Sequence, residues 1–209
     1  PVVPPAFEPL VDAVLEHIIA QPKTLVVLRG PSGSGTGEVL DQVAALIKPA
    51  CALHLGAAPG SLVPFASLRA AVQQVPNLDA EDPFVKRLLD YEVLSKEDTV
   101  AELKRWLGAF DNSSGARPWV VVNPINTVDS ATLEVITAAF HDSEAFSLFM
   151  RFPIDGRIPD RLRTSVTLDL ELPMLRTSDA RTIAQAVLGQ NTGVEVVRRV
   201  AVLGGDTPI

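Results

Sequence analysis

The sequence is poor in the residues that most often announce chemistry. It has one cysteine, Cys51, which excludes an internal disulfide and any cysteine-based metal site and fits a reducing, cytoplasmic compartment. His17, His54 and His141 lie far apart without metal-ligand spacing, so no metal site is expected. No apolar run reaches the 18 or so residues that cross a bilayer, and no basic segment precedes an apolar core at the N-terminus, so neither a membrane span nor a signal peptide is expected. Positive charge is scarce as well. The 209 residues carry a net charge of −7 with a pI near 4.9, which disfavours a general nucleic-acid binder. Arg151, Arg157, Arg161 and Arg163 form a local basic cluster diluted by Asp155 and Asp160, and it reads as a solvated loop.

Apolar content is ample: 47% of residues are hydrophobic and the mean hydropathy is +0.24, enough for a substantial core. Residues 1–5 are Pro-rich and read as the end of a linker. With no Met at position 1, the chain is expected to be part of a larger multidomain protein.

Helical spacing of Leu10, Val14, Ile18 and Ile19 predicts a helix from Phe7 to Pro22, followed by a buried strand over Thr24 to Leu28. Val39, Leu40, Val43, Leu46 and Ile47 predict a second helix ending at Pro49, and Cys51 to Leu55 a second strand. Residues 61–111 read as mainly helical, in pieces near Leu62–Val75, Phe84–Leu94 and Thr99–Phe110, with a loop over Asn112–Pro118. Further strands are expected at Trp119–Val122, Phe146–Phe152 and Thr164–Leu170. A helix opens at Ser130, with Asp129 or Ser130 as its cap and Glu134 supporting its start, and two more helices are expected near 178–188 and 194–203. Phe65, Phe84, Tyr91 and Trp106 read as core residues of the helical stretch, with an interface as the other possibility. Strands alternating with helices predict a three-layer α/β fold around a mainly parallel sheet covered on both faces.

The most informative stretch is Gly30-Pro31-Ser32-Gly33-Ser34-Gly35-Thr36-Gly37-Glu38, between a strand and a helix. A phosphate-binding loop belongs at such a junction, where backbone N–H groups converge and the helix dipole favours an anion. Its pattern is G-x-x-x-x-G-K-[ST]. Gly30 and Gly35 match it, but Thr36 stands at the lysine position and Gly37 at the Ser/Thr position. Glu38 either crowds an anion or, as an ordinary first-turn acid, complements the helix dipole. A nucleophile elbow would need Gly at 34 and a dinucleotide fingerprint Gly at 38, and both fit worse; a plain Gly-rich connector stays open. After the strand Trp119–Val122, where nucleotide hydrolases place acids for magnesium and water, stand Asn123 and Pro124, neither of which can act as a base.

The chain resembles the signal-transduction ATPases with numerous domains, the STAND branch of the AAA+-related P-loop NTPases, from about Phe7 to Ile209. Thr24–Ile47 resembles the family's first nucleotide motif. Val120 to Leu133 resembles its second motif and the segment after it, with Asp129, Ala131, Thr132 and Leu133 kept. Phe146–Arg151 resembles the sensor strand and Leu170–Ala180 the segment before the lid. Gly204-Gly-Asp-Thr-Pro-Ile209 resembles the lid turn, whose proline, here Pro208, lies near the adenine in the family. The resemblance implies an NTPase-like core over 6–175 and the start of a helical lid over 176–209.

The departures fall on catalytic positions, which implies a pseudo-ATPase with no cofactor, acting as a regulatory, scaffolding or self-associating module with protein partners. The alternative is a non-hydrolysing switch that binds ATP or ADP weakly. A lost lysine removes charge-assisted hydrogen bonds of roughly 1.5–3 kcal/mol each, about 10- to 200-fold in affinity. Arg29, at the end of the first strand, reads as a surface residue that could also turn toward the loop. A third expectation, an enzyme of another class using Ser32, Ser34 or Thr36 as nucleophile, lacks a histidine close in sequence.

Overall fold

The computed structural model describes residues 7–21, 23–31, 35–56, 63–92, 95–114, 117–123 and 125–173. The two helices expected near 178–188 and 194–203, the lid segment and Pro208 lie outside the described residues, as do Ser32, Gly33, Ser34 and Pro124.

Helix α1 (Glu8–Ala20) leads into strand β1 (Leu25–Arg29), helix α2 (Thr36–Ile47) and strand β2 (Ala52–Leu55). Three helices follow: α3 (Ala66–Gln73), α4 (Pro83–Leu89) and α5 (Lys96–Ser114). Strand β3 (Trp119–Val122), a 3-10 turn (Ile125–Thr127), helix α6 (Ser130–His141), strand β4 (Ser147–Phe152), the single turn α7 (Asp160–Arg163) and strand β5 (Leu168–Glu171) complete the order. The five strands form one sheet in the order β2-β3-β4-β1-β5, and every pairing is parallel. This is the α/β architecture that the alternation of apolar strands and helices predicts.

The strand sequences show why both faces are covered. In β1, Leu25 and Val27 point to one face, Val26 and Leu28 to the other, and all four are fully buried. A strand buried on both faces is apolar at every position, unlike an alternating half-exposed one. On one face α1 and α2 pack Phe7, Val11, Val14, Val39, Leu40 and Val43 against Val26, Leu28, Val121 and Phe149. On the other, α3 to α7 pack against Leu53, Leu55, Val120, Val122, Leu148 and Met150. The structure is therefore three-layered.

Several local expectations change. Ile19 is 76% exposed, because α1 turns its Phe7, Val11 and Val14 stripe to the sheet and carries Ile19 away from it. Helix α5 continues through Asn112 to Ser114, where a loop is expected. Strand β5 begins at Leu168 rather than Thr164, and α7 is a turn the periodicity does not signal. Helix α6 is capped by Asp129, whose carboxylate accepts the Thr132 amide; Glu134 instead forms an ion pair with Lys96 at 2.7 Å. Phe65, Phe84 and Trp106 are core residues, whereas Tyr91 is 67% exposed and lies over the Arg69 guanidinium, 4.3 Å from ring centre to charge. Arg69 itself is buried and donates to the carbonyls of Leu88 and Pro64.

Candidate functional site: the carboxyl ends of β1, β3 and β4

In a parallel sheet, ligands bind beyond the carboxyl ends of the strands, where consecutive connections leave in opposite directions. Here that point flanks β1: the chain passes from β1 through α2 to β2 on one side, and returns from β4 to β5 on the other. The Gly-rich segment leaves β1 at this place.

Gly30 donates its amide to the Phe152 carbonyl at 3.1 Å, extending the β1–β4 ladder by one residue. Gly35 caps the start of α2 with φ +87° and ψ +13°, in the left-handed region. A Cβ there would also drive into the ring of Phe7, which is 1% exposed and packs against that glycine. Glycine is thus required at 35 for conformation and for space. Thr36, the first residue of α2, is buried, and its Oγ1 has no hydrogen-bond partner. Gly37 leaves room beside it: the nearest atom to a Cβ there is Asn123 Nδ2, at 4.0 Å. Glu38 is exposed in the first helical turn.

At the end of β3, Asn123 donates its amide to the Leu55 carbonyl at 2.8 Å, tying β3 to the end of β2. Its side-chain Oδ1 accepts from Arg151 Nη1 at 3.0 Å. The Nη2 of the same guanidinium donates to the Pro31 carbonyl at 3.1 Å. Arg151 pairs with Leu28 across the β4–β1 ladder, and its neighbour Met150 pairs with Val122 of β3. The strand order alone puts it between the Gly-rich segment and Asn123.

Arg151 is therefore not part of a solvated basic loop. Arg157, Arg161 and Arg163 are exposed after β4, but Arg151 is half-buried in the strand. Sequence reasoning puts Arg151 at the end of the sensor-like strand but does not count it as a site residue; a further signal is one charge inside the run Leu148-Phe-Met-Arg-Phe152. Arg29 does not turn toward the loop. It forks onto Asp169 at 2.8 and 3.0 Å and donates to the Gly156 carbonyl at 2.7 Å. Lys23 lies at the other end of β1, its Nζ donating to the His141 carbonyl, and Lys48 caps the far end of α2. A Thr36 nucleophile is disfavoured by its burial.

Below the site, Asp129 anchors two helices. Its carboxylate accepts the amides of Phe65, Ser67 and Thr132 at 3.1, 2.9 and 2.9 Å and the Thr132 hydroxyl at 2.8 Å, while Ser67 Oγ accepts the Asp129 amide. Burial pushes this carboxyl up, but the amides and hydroxyls of Ser67 and Thr132 together hold it below the usual aspartate range. The kept Asp-x-Ala-Thr pattern thus has a structural meaning: it joins α3 to α6.

Among the described residues, no three His, Cys, Asp or Glu side chains are grouped to hold a metal ion, and no helix is long and apolar enough to cross a membrane.

Together, the parallel sheet in the order β2-β3-β4-β1-β5 and the Gly-rich junction after β1 define an AAA+-like P-loop α/β fold. Solved structures agree. A chain of the E. coli MS115-1 HORMA:CdnC:Trip13 complex superposes with a TM-score of 0.56 at 9% identity, covering 97% of this chain and 74% of that one. A point variant of Thermotoga maritima RuvB gives a TM-score of 0.55 at 16% identity, covering 96% of this chain and 56% of RuvB. No family model matches the sequence, and no curated protein matches it. At these identities the likeness is one of fold.

Proposed function

We propose that this AAA+-like domain is a STAND-type pseudo-ATPase, a regulatory or scaffolding module of a larger signalling protein that does not hydrolyse nucleotide. One observation carries the reading: at the end of β3, where hydrolases present acids, stands Asn123, and its side-chain oxygen is already taken by Arg151. An amide cannot act as a base to activate water, and this one spends its oxygen on a guanidinium rather than on a metal. Gly37 brings no hydroxyl to the metal, and Thr36 brings no cation to the phosphates. The framework around these positions is intact, with Gly35 left-handed and Asp129 capping α6. A surface that no longer serves hydrolysis can serve partner binding. A complex-forming Trip13 chain has the same fold, which is consistent with it.

The test is ATP turnover by the purified protein beside a Gly37→Asp variant, which places a carboxylate at the loop mouth where there is space for it. The expected result is no phosphate release above the variant. Turnover lost in Gly37→Asp would overturn the proposal.

A second reading, weak binding of ATP or ADP without hydrolysis, is favoured by the half-buried Arg151 between Pro31 and Asn123. Among the described residues, no carboxylate pairs with it. Calorimetry with ATP and ADP, with and without magnesium, separates the two readings: saturable micromolar binding supports the second, and no heat at millimolar nucleotide the first.

A further inference from the structure

We propose that Arg151 is an internal strap that ties Pro31, just after β1, to Asn123, just after β3. Three observations support it. First, the guanidinium spans two elements that share no strand pairing: β4 separates β1 from β3, and Arg151 reaches past both of its neighbours, to Pro31 after β1 and to Asn123 after β3. Second, both acceptors are neutral oxygens, as they are for the buried Arg69, whereas Arg29, Arg87, Arg105 and Arg163 each meet a carboxylate. A guanidinium held by two neutral oxygens contributes through its rigid fork geometry, which fixes the distance between them. Third, Asn123 is itself anchored: its amide donates to the Leu55 carbonyl at 2.8 Å, so the strap ends on a residue already tied to β2.

Where a bound phosphate and metal connect the loop to the neighbouring strand end, the connection goes when the ligand goes. Here one side chain of the chain itself joins Pro31 to Asn123. The strap does not depend on whether the domain hydrolyses ATP.

Amide hydrogen exchange on the whole protein tests it. Two amides flank the strap: Gly30, bound to the Phe152 carbonyl, and Asn123, bound to the Leu55 carbonyl. Two controls lie at the opposite end of β1: the amides of Leu148, bound to the Thr24 carbonyl, and Thr167, bound to the Leu25 carbonyl. In Arg151→Ala, exchange at Gly30 and Asn123 is expected to accelerate roughly tenfold or more, as the loss of charge-assisted hydrogen bonds implies, with the controls unchanged. Arg151→Lys, which reaches one oxygen at a time, is expected to fall between. Asn123→Ala, which keeps the arginine and removes one acceptor, is expected to loosen Gly30 and the amide of residue 123 in the same way; this variant reads the strap if Arg151→Ala does not fold. Millimolar inorganic pyrophosphate is expected to leave exchange at Gly30 and Asn123 in the unmodified protein unchanged. The proposal is overturned if the variants leave both flanking amides as they were, if flanking and control amides accelerate together, or if pyrophosphate slows the flanking amides about tenfold, since an anion and not Arg151 would then organise the loop.

Discussion

Asp129 satisfies three backbone amides and a hydroxyl with one carboxylate, and those donors belong to two different helices. Removing it leaves the Phe65, Ser67 and Thr132 amides buried without their partner. Each unpaired buried donor costs roughly 1–3 kcal/mol, so Asp129→Ala is expected to lose about 3 kcal/mol or more in urea unfolding. The same carboxylate sets a pH dependence. Its folded-state value lies below that of an unfolded aspartate, near 3.9, so its contribution is present in full above about pH 4 and disappears as pH falls through the folded-state value. Asp82, the cap of α4, acts in the same window: burial raises its carboxyl, but Arg105 and the amides of Val85 and Phe84 bring it below the usual range. Stability is expected to fall as pH drops below about 4, and less steeply in Asp129→Asn. An unchanged acid slope in that variant would show that the carboxylate is not held in its charged form.

Between elements, the decisive contact is that of Phe7 with Gly35, where the start of α1 meets the start of α2. Gly35→Ala places a Cβ in a left-handed residue and against an aromatic ring. The conformational part costs about 1–2 kcal/mol and the overpacking roughly 1–3, so a loss of about 2–5 kcal/mol is expected. Because both parts act at one contact, the two sites are coupled. Phe7→Ala opens the space that the new methyl needs, so the double variant is expected to lose less than the sum of the single losses. Additive losses in a double-mutant cycle would show that the ring does not constrain Gly35. This coupling was not legible in the sequence. Phe7 reads as the start of a helix and Gly35 as part of a loop, and nothing in their spacing says that they touch.

Taken whole, the molecule encloses its one thiol. Cys51, just before β2, is buried, and burial raises its thiol to about 11. At pH 8 only about one part in a thousand is thiolate, and the side chain is covered as well. A disulfide reagent such as DTNB is therefore expected to modify Cys51 no faster than the protein unfolds, with a rate that follows urea concentration along the unfolding limb. Rapid labelling in the absence of urea would mean that the sheet edge at β2 opens locally. The reagent then reports on the cohesion of all five strands, a property of no single element.

The sequence by itself determined the layers. Continuous apolar runs in β1, β3 and β4 can be buried only between two layers of helices, and their alternation with amphipathic segments makes a parallel sheet the consistent arrangement. It also located the Gly-rich junction and the substitutions Thr36, Gly37 and Asn123, because residue identity at a motif position needs no coordinates. Tertiary structure decided the rest, through the order of the strands. Chain order places β4 after α6, far from the Gly-rich segment, whereas the sheet places it between β1 and β3. That exchange of neighbours carries Arg151 from an apparent surface cluster to the centre of the site and sends Arg29 outward to Asp169 on the edge strand. It also brings Ser67 and Asp129, 62 positions apart, within one hydrogen bond. Local periodicity records which face a residue occupies, but not which strand lies beside it. Long-range pairing depends on packing the whole core at once, and here that pairing placed the Arg151 cation at the loop.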